Sequence, residues 1–328
     1  MISLRRMFTA AGAVGLALAM TGCIQSDTTE NVVYNDPSAD PGIELPDSPR
    51  VVALGWSDGE IALSLGVKPV AIYDWMSFGE QNKGVGPWIT DEFGDDSPEI
   101  ISAASTGDFN YQQIQELNPD LILNVRSTSD SAITDSLSAI APVVTAPAGT
   151  PDYAVNWTVQ TELIANALGK SDEGTSLIED TQSVQQTIRD NNPDFDGKTF
   201  VWGVKFGDAY GAYLPGDARF DTFAELGFAE FPPVAALQSQ GFFASVPVEQ
   251  VSALDSQVAV FTTISKPLAE LQGDTLLNTL PVIVDGRAIL LAEDDPIVQA
   301  MAAGTPVSLK FALEGIEPQL VQAVSRVN

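Results

Sequence analysis

The chain has no histidine in 328 residues. That excludes Ser-His-Asp and Cys-His catalysis and histidine-ligated zinc, copper or haem, while carboxylate-based chemistry survives. Cysteine occurs once, at Cys23, so no disulfide can close within the chain. Basic residues are also scarce: 15 lysines and arginines stand against 44 aspartates and glutamates, a formal charge of −29. Such a surface lacks the basic patch that phosphate recognition needs, so nucleic acid is excluded as a partner. The apolar run over residues 10–20 is too short to span a bilayer as a helix.

What is present explains the single cysteine. Arg5 and Arg6 precede the apolar run, with no acid among the first residues, in the pattern of an export signal. Met20-Thr21-Gly22-Cys23 resembles a bacterial lipobox, in which the cysteine is acylated and becomes the first mature residue. Two or three long acyl chains, at about 0.8 kcal/mol per buried methylene, make a firm tether. Arg5-Arg6-Met7-Phe8 fits the core of a twin-arginine signal and a general secretory one equally. Removing residues 1–22 takes two of the 15 basic residues and none of the 44 acids, which moves the charge from −29 to −31.

The expected organisation has five parts: a lipoprotein signal peptide over 1–22, the lipidated cysteine and a flexible stalk over 23–49, an N-terminal α/β lobe over 50–152, an interlobe helical connector over 153–193, and a C-terminal α/β lobe over 194–328. The stalk is polar and carries Pro37, Pro41, Pro46 and Pro49. Arg50 to Leu54 reads as a buried strand, Ser57-Asp58-Gly59-Glu60 as a capping box opening a helix that ends at Gly66, and Val70 to Tyr73 as the next strand, together a βαβ unit. Residues 110–125 (NYQQIQELNPDLILNV) and 247–262 (PVEQVSALDSQVAVFT) superpose without a gap as helix then strand. Each runs through a helix into a Pro-Val strand, at 140–144 and 279–283, which predicts two similar lobes. The apolar faces between Tyr153 and Asn192 predict a helical crossover, stiff enough to keep closure small.

An acylated, stalked, two-lobed α/β chain with one helical crossover resembles the iron-siderophore substrate-binding proteins of ABC importers, related to those for ferrichrome, enterobactin and cobalamin. The residues that carry the likeness are Val51 to Ser57, Leu65 to Val70 and Leu117 to Leu123, with Gly84 to Trp88 in the form of actinobacterial members. The resemblance implies α/β lobes with mainly parallel sheets and a helical backbone between them. It implies a monomer at the extracytoplasmic face of the cell membrane that takes a ferric siderophore to an ABC permease dimer, with no cofactor and no protein-bound metal. It further implies an acidic residue on each lobe that docks onto permease arginines. Glu249 matches in the second lobe, whereas Gln112 departs from the pattern in the first, with Glu116 close enough to substitute.

Ligands of open α/β sheets sit beyond the carboxyl ends of the strands. That rule selects Trp56, the stretch from Trp75 to Trp88, and Arg126 in the first lobe, and Lys205, Thr262, Thr263 and Phe242 in the second. Tyr213 and Arg219 occupy a cleft-loop position in the family. Aromatic faces suit the organic rim of a chelate, and cations suit its oxygen-rich centre. Arg126, directly after an apolar strand, is the strongest cationic candidate. Tyr210 and Tyr213 offer an alternative, direct ligation of iron or haem. The competing readings are a haem or cobalamin binder of the same fold, an enzyme using Asp91-Glu92 or Asp294-Asp295, and an envelope-associated protein that no longer docks a permease. Few cations favour a hydroxamate or mixed siderophore over a catecholate.

Overall fold

The computed structural model describes residues 31–103 and 107–327. The leader and Cys23 lie outside the described residues.

The first lobe is a wholly parallel sheet of six strands: β1 (Val33–Tyr34), β2 (Val51–Ala53), β3 (Ala71–Tyr73), β4 (Glu99–Ile101), β5 (Leu121–Asn124) and β6 (Val143–Thr145), in the order β1-β6-β5-β2-β3-β4. Val51, Val52, Leu121, Ile122, Leu123 and Val143 are fully buried. Continuous apolar runs of this kind are what a sheet covered on both faces requires. Helices α1 (Asp58–Ser64), α2 (Tyr111–Glu116) and α3 (Ser131–Ser138) lie in the crossovers. The chain turns one way from β2 to β3 and the other way from β5 to β6, so the exits of β2 and β5 flank the switch point where a crevice forms.

Two helices follow, α4 (Trp157–Ala167) and α5 (Ser171–Asn191), in place of one continuous crossover. Gly169, at φ 66°, breaks them. Leu163 and Ile164 of α4 enter the first-lobe core, while Ile178 and Ile188 of α5 enter the second-lobe core. The helices pack closely at Gly174, where a Cβ would stand 2.4 Å from that of Ala165.

The second lobe carries seven strands: β7 (Thr199–Phe206), β8 (Ala209–Tyr213), β9 (Ala229–Glu230), β10 (Ser239–Gln240), β11 (Phe243–Val246), β12 (Val258–Ile264) and β13 (Ala288–Leu290). β7, β9, β12 and β13 run parallel, and β8, β11 and β10 extend the sheet as an antiparallel arm. Its helices are α6 (Ala218–Glu225), α7 (Pro232–Ala235), α8 (Leu268–Gln272), α9 (Pro281–Val284), α10 (Pro296–Ala303) and α11 (Pro306–Val324). Trp202, Phe200, Phe223 and α11 residues Leu309, Leu313 and Ile316 fill one side of the sheet.

Three expectations are corrected. Part of the expected stalk over 23–49 packs on the first lobe. Val33 and Tyr34 add the edge strand β1 beside Val143 and Val144, Tyr34 is buried, and Asn166 Nδ2 donates to its hydroxyl at 3.2 Å. Proline-rich composition concealed this short strand, because edge strands tolerate such flanks. Ser57 and Glu60 form no capping box: Ser57 has φ 63° and makes no side-chain cap bond, and Glu60 is drawn elsewhere. The second Pro-Val segment is not a strand, because Pro281 opens the helical turn α9, at the position where its missing N–H costs nothing. The true counterpart of β6 is β13, later in the chain.

Candidate functional site

A cavity of about 820 Å³ opens between the lobes. Trp56, Trp75, Met76 and Ser77 form its first-lobe wall, and Tyr213, Arg219 and Phe242 stand in the second-lobe wall with the loops after β12 and β13. Trp56 lies in the turn from β2 to α1, which the left-handed Ser57 makes abrupt. Its ring stacks on Trp75 at 4.3 Å and 6°, and on Tyr153 at 4.2 Å and 24°. The result is a three-plate stack with Trp56 in the middle. Trp75 is further held by an Nε1–H bond to Ser57 Oγ at 3.3 Å. Such pre-packed indoles present a large apolar face with little entropy left to lose on binding.

Across the cavity, the Arg219 guanidinium sits over Tyr213, its carbon 3.5 Å from the ring centroid. Asp217 takes two bonds from it, from Nε and Nη2, both at 2.7 Å. Burial alone would lower the Arg219 pKa, but the Asp217 carboxylate and Tyr213 together outweigh burial and keep it raised. Asp217 is fixed in turn as the N-cap of α6, accepting the Arg219 N–H at 2.9 Å.

Of the residues singled out from sequence, Trp56, Trp75, Tyr213, Arg219 and Phe242 come together on this cavity. Arg126 does not. It is 4 % exposed, and it donates from Nε to Tyr153 O at 3.2 Å and from Nη1 to Ala302 O and Ala303 O, both at 3.0 Å. It therefore braces the β5 exit against the end of α10, with Trp56 and Trp75 centroids at 5.7 and 5.9 Å. Desolvation lowers its pKa to about 10, partly offset by Asp217, so it stays charged at neutral pH. Lys205 is also withdrawn: its Nζ donates to buried Asp274 at 2.5 Å, and Tyr210, the proposed alternative metal ligand, donates its hydroxyl to the same carboxylate at 2.7 Å. Trp88 packs between Phe78 and Phe311 and donates to Glu60 Oε2 at 2.9 Å. Gln112 and Glu249 lie on exposed surface away from the cavity lining.

Sequence reasoning missed Lys266 and Glu293. The signal was available, since Lys266 follows the end of β12 and Glu293 the end of β13. Neither carboxylate pair has the form of an acid–base site. Asp91 and Glu92 are exposed on a 3₁₀ turn, while Asp294 lines the cavity and Asp295 caps α10 by accepting the Ile297 N–H. Among the described residues no cluster of three or more carboxylates or other metal-binding side chains could hold an ion.

Two buried carboxylates brace the site from behind. Asp58 accepts N–H bonds from Val125 at 2.7 Å and Arg126 at 3.4 Å and a Gln160 amide bond at 2.7 Å. Gly55 permits the approach, since a Cβ there would stand 2.1 Å from Asp58 Oδ2. Glu60 accepts from Gly86 N, from Trp88 Nε1 and, across the lobes, from Thr305 Oγ1 at 3.1 Å. Burial raises both pKa values, Asp58 to about 6, against the opposing hydrogen bonds. A carboxyl whose folded pKa is raised binds its proton more tightly in the native state. Its contribution is full below the unfolded value and is lost as pH rises from about 4 to about 6. Asp58→Asn is expected to remove that part of the stability profile, at most about 3 kcal/mol by linkage. Urea unfolding at pH 4, 5, 6 and 7 measures it; parallel curves for the two proteins would contradict it.

The periplasmic binding protein family model matches residues 51–293. The probable siderophore-binding lipoprotein YfiY of Bacillus subtilis is 28% identical over 316 residues, covering 90% of this chain and 88% of that one. PiaA of Streptococcus pneumoniae, an iron uptake ABC transporter substrate-binding protein, superposes with a TM-score of 0.70 at 23% identity, covering 86% of this chain and 96% of that one. Its complex with ferrichrome gives 0.72 at 22% identity, with coverages of 87% and 96%. At these identities the structural likeness shows the fold.

Proposed function

The chain belongs to the periplasmic binding protein family, and from that premise we propose that it is a lipid-anchored, extracytoplasmic protein that captures a ferric siderophore between its lobes and delivers it to an ABC permease. The observation that carries this is the roughly 820 Å³ cavity with stacked indoles on one wall and a guanidinium on a tyrosine face on the other. That volume is in the range of small-molecule sites, and the walls suit a ligand that brings its own coordinated metal. The names of the relatives point the same way. The iron is cargo, held by the siderophore. Cys23 supplies the anchor, and the protein works as a monomer.

Tryptophan fluorescence titration with ferric siderophores tests the reading, with haem and cyanocobalamin as controls. Saturable quenching by a ferric chelate is expected, weakened at least about tenfold in Trp75→Ala, which removes one plate of the stack. Quenching by haem or cyanocobalamin alone would assign the cleft to another ligand.

Docking falls to the exposed start of α2 and the exposed start of the 3₁₀ segment Val248–Leu254. Gln112 Nε2 donates to Glu116 Oε1 at 3.0 Å, so a carboxylate stands beside the neutral position. Glu249→Lys is expected to reduce siderophore uptake at least about tenfold through charge reversal at a contact, with chelate affinity unchanged. Normal uptake by that variant would remove Glu249 from the docking surface.

A further inference from the structure

The charges around the cavity are unequal in how they are matched. Two cations line it, Arg219 and Lys266. Arg219 is matched by Asp217 through two bonds of 2.7 Å, and Lys266 Nζ stands 4.0 Å from Glu270 Oε1. The other cations expected there, Arg126 and Lys205, are turned inward onto carbonyls and onto Asp274. Two acids line the same cavity, Glu293 and Asp294. Glu293 accepts one backbone N–H, from Ser265, and among the described residues neither acid has a cationic partner within 4.0 Å. Arg219 is thus cancelled by an acid, Lys266 is only loosely paired at the surface, and two lining acids have no cationic partner. The field of a chain with formal charge −29 adds to the same sign.

Resting on the ferric-siderophore reading, we infer that the cleft selects ferric chelates that are uncharged or cationic, of the tris-hydroxamate type, with Glu293 and Asp294 as the charge-selecting residues. An anionic chelate, such as a ferric tris-catecholate or a ferric citrate, meets two lining cations that each already face an acid, with two further acids beside them. Like charges brought together there are penalised more than in water. A tris-hydroxamate places three singly charged oxygen pairs around Fe(III), so its charges cancel. A pendant ammonium on such a ligand meets the unmatched acids of the α10 entry loop.

The test uses the full chain in non-ionic detergent, with fluorescence titration by four chelates: ferrioxamine B (cationic), ferrichrome (uncharged), ferric enterobactin (trianionic) and ferric dicitrate (anionic). Both hydroxamates are expected to bind at least about 100-fold more tightly than either anionic chelate. In the Glu293→Gln/Asp294→Asn double variant, ferrioxamine B is expected to weaken about tenfold while ferrichrome changes less than about twofold. Higher salt is expected to weaken ferrioxamine B selectively. Ferric enterobactin or ferric dicitrate binding as tightly as the hydroxamates would overturn the charge selection and leave the siderophore reading standing. So would a double variant that weakens both hydroxamates equally. Failure of all four chelates to bind the folded protein would overturn the siderophore reading itself, and this inference with it.

Discussion

Arg126→Ala is expected to destabilise the protein by about 3–5 kcal/mol and to lower its thermal midpoint by roughly 10 °C, without removing a ligand contact. The guanidinium reaches three carbonyls, of Tyr153, Ala302 and Ala303, and all three lose a charged donor in the variant. Two of those carbonyls end α10, where backbone acceptors have no helical partner and a cation is best placed. The residue it braces against, 176 positions away, belongs to the other lobe, so the variant loosens a contact between the lobes as well as its own surroundings. Arg126→Lys is expected to recover less than half the loss, because one ammonium cannot span contacts that the planar fork makes together. Urea unfolding provides the energies, and chelate titration of the same variants provides the contrast. A fall of about 100-fold in affinity with stability unchanged would return Arg126 to the ligand wall.

Asp274→Ala is expected to cost a similar amount, about 3–5 kcal/mol, for a different reason. Asp274 Oδ2 accepts from Lys205 Nζ at 2.5 Å and Tyr210 at 2.7 Å, while Oδ1 accepts the N–H groups of Leu276 and Leu277, both at 2.9 Å. Removing it leaves an ammonium that is 8 % exposed with no counter-charge, on the central strand of the second lobe. Burial alone would raise the Asp274 pKa; the bonds from Lys205, Leu277, Tyr210 and Leu276 outweigh it and hold it below the ordinary value. A depressed carboxyl contributes stability that is complete above its unfolded pKa and is lost as pH falls through the folded one. The gap between wild type and Asp274→Ala is therefore expected to shrink as the solution is acidified below about pH 4. Asp274→Asn keeps acceptors for the backbone donors without the charge and should fall between them. Equal midpoints for wild type and Asp274→Ala at neutral pH would show that Lys205 finds water or another partner.

The site residues legible in the sequence were those whose role depends on position along the chain. Trp56 and Trp75 follow β2 and β3, and the rule that ligands gather beyond strand exits selects residues that line the cavity. The same rule applied to β12 and β13 would have reached Lys266 and Glu293. Arg126 also follows its strand, yet its side chain turns to carbonyls 176 and 177 residues away. Trp88 turned inward for the same kind of reason, since its N–H found Glu60.

By itself the sequence determined the α/β class, the two lobes and the helical passage between them, because period, strand length and repeat are local properties of the chain. It also determined the overall charge and the absence of histidine chemistry, which are properties of composition. Tertiary structure alone decided which cations face the cavity. Burying a charge is favourable only when partners surround it, and those partners come from distant segments: Asp217 beside Arg219, Asp274 beside Lys205, and the α10 carbonyls beside Arg126.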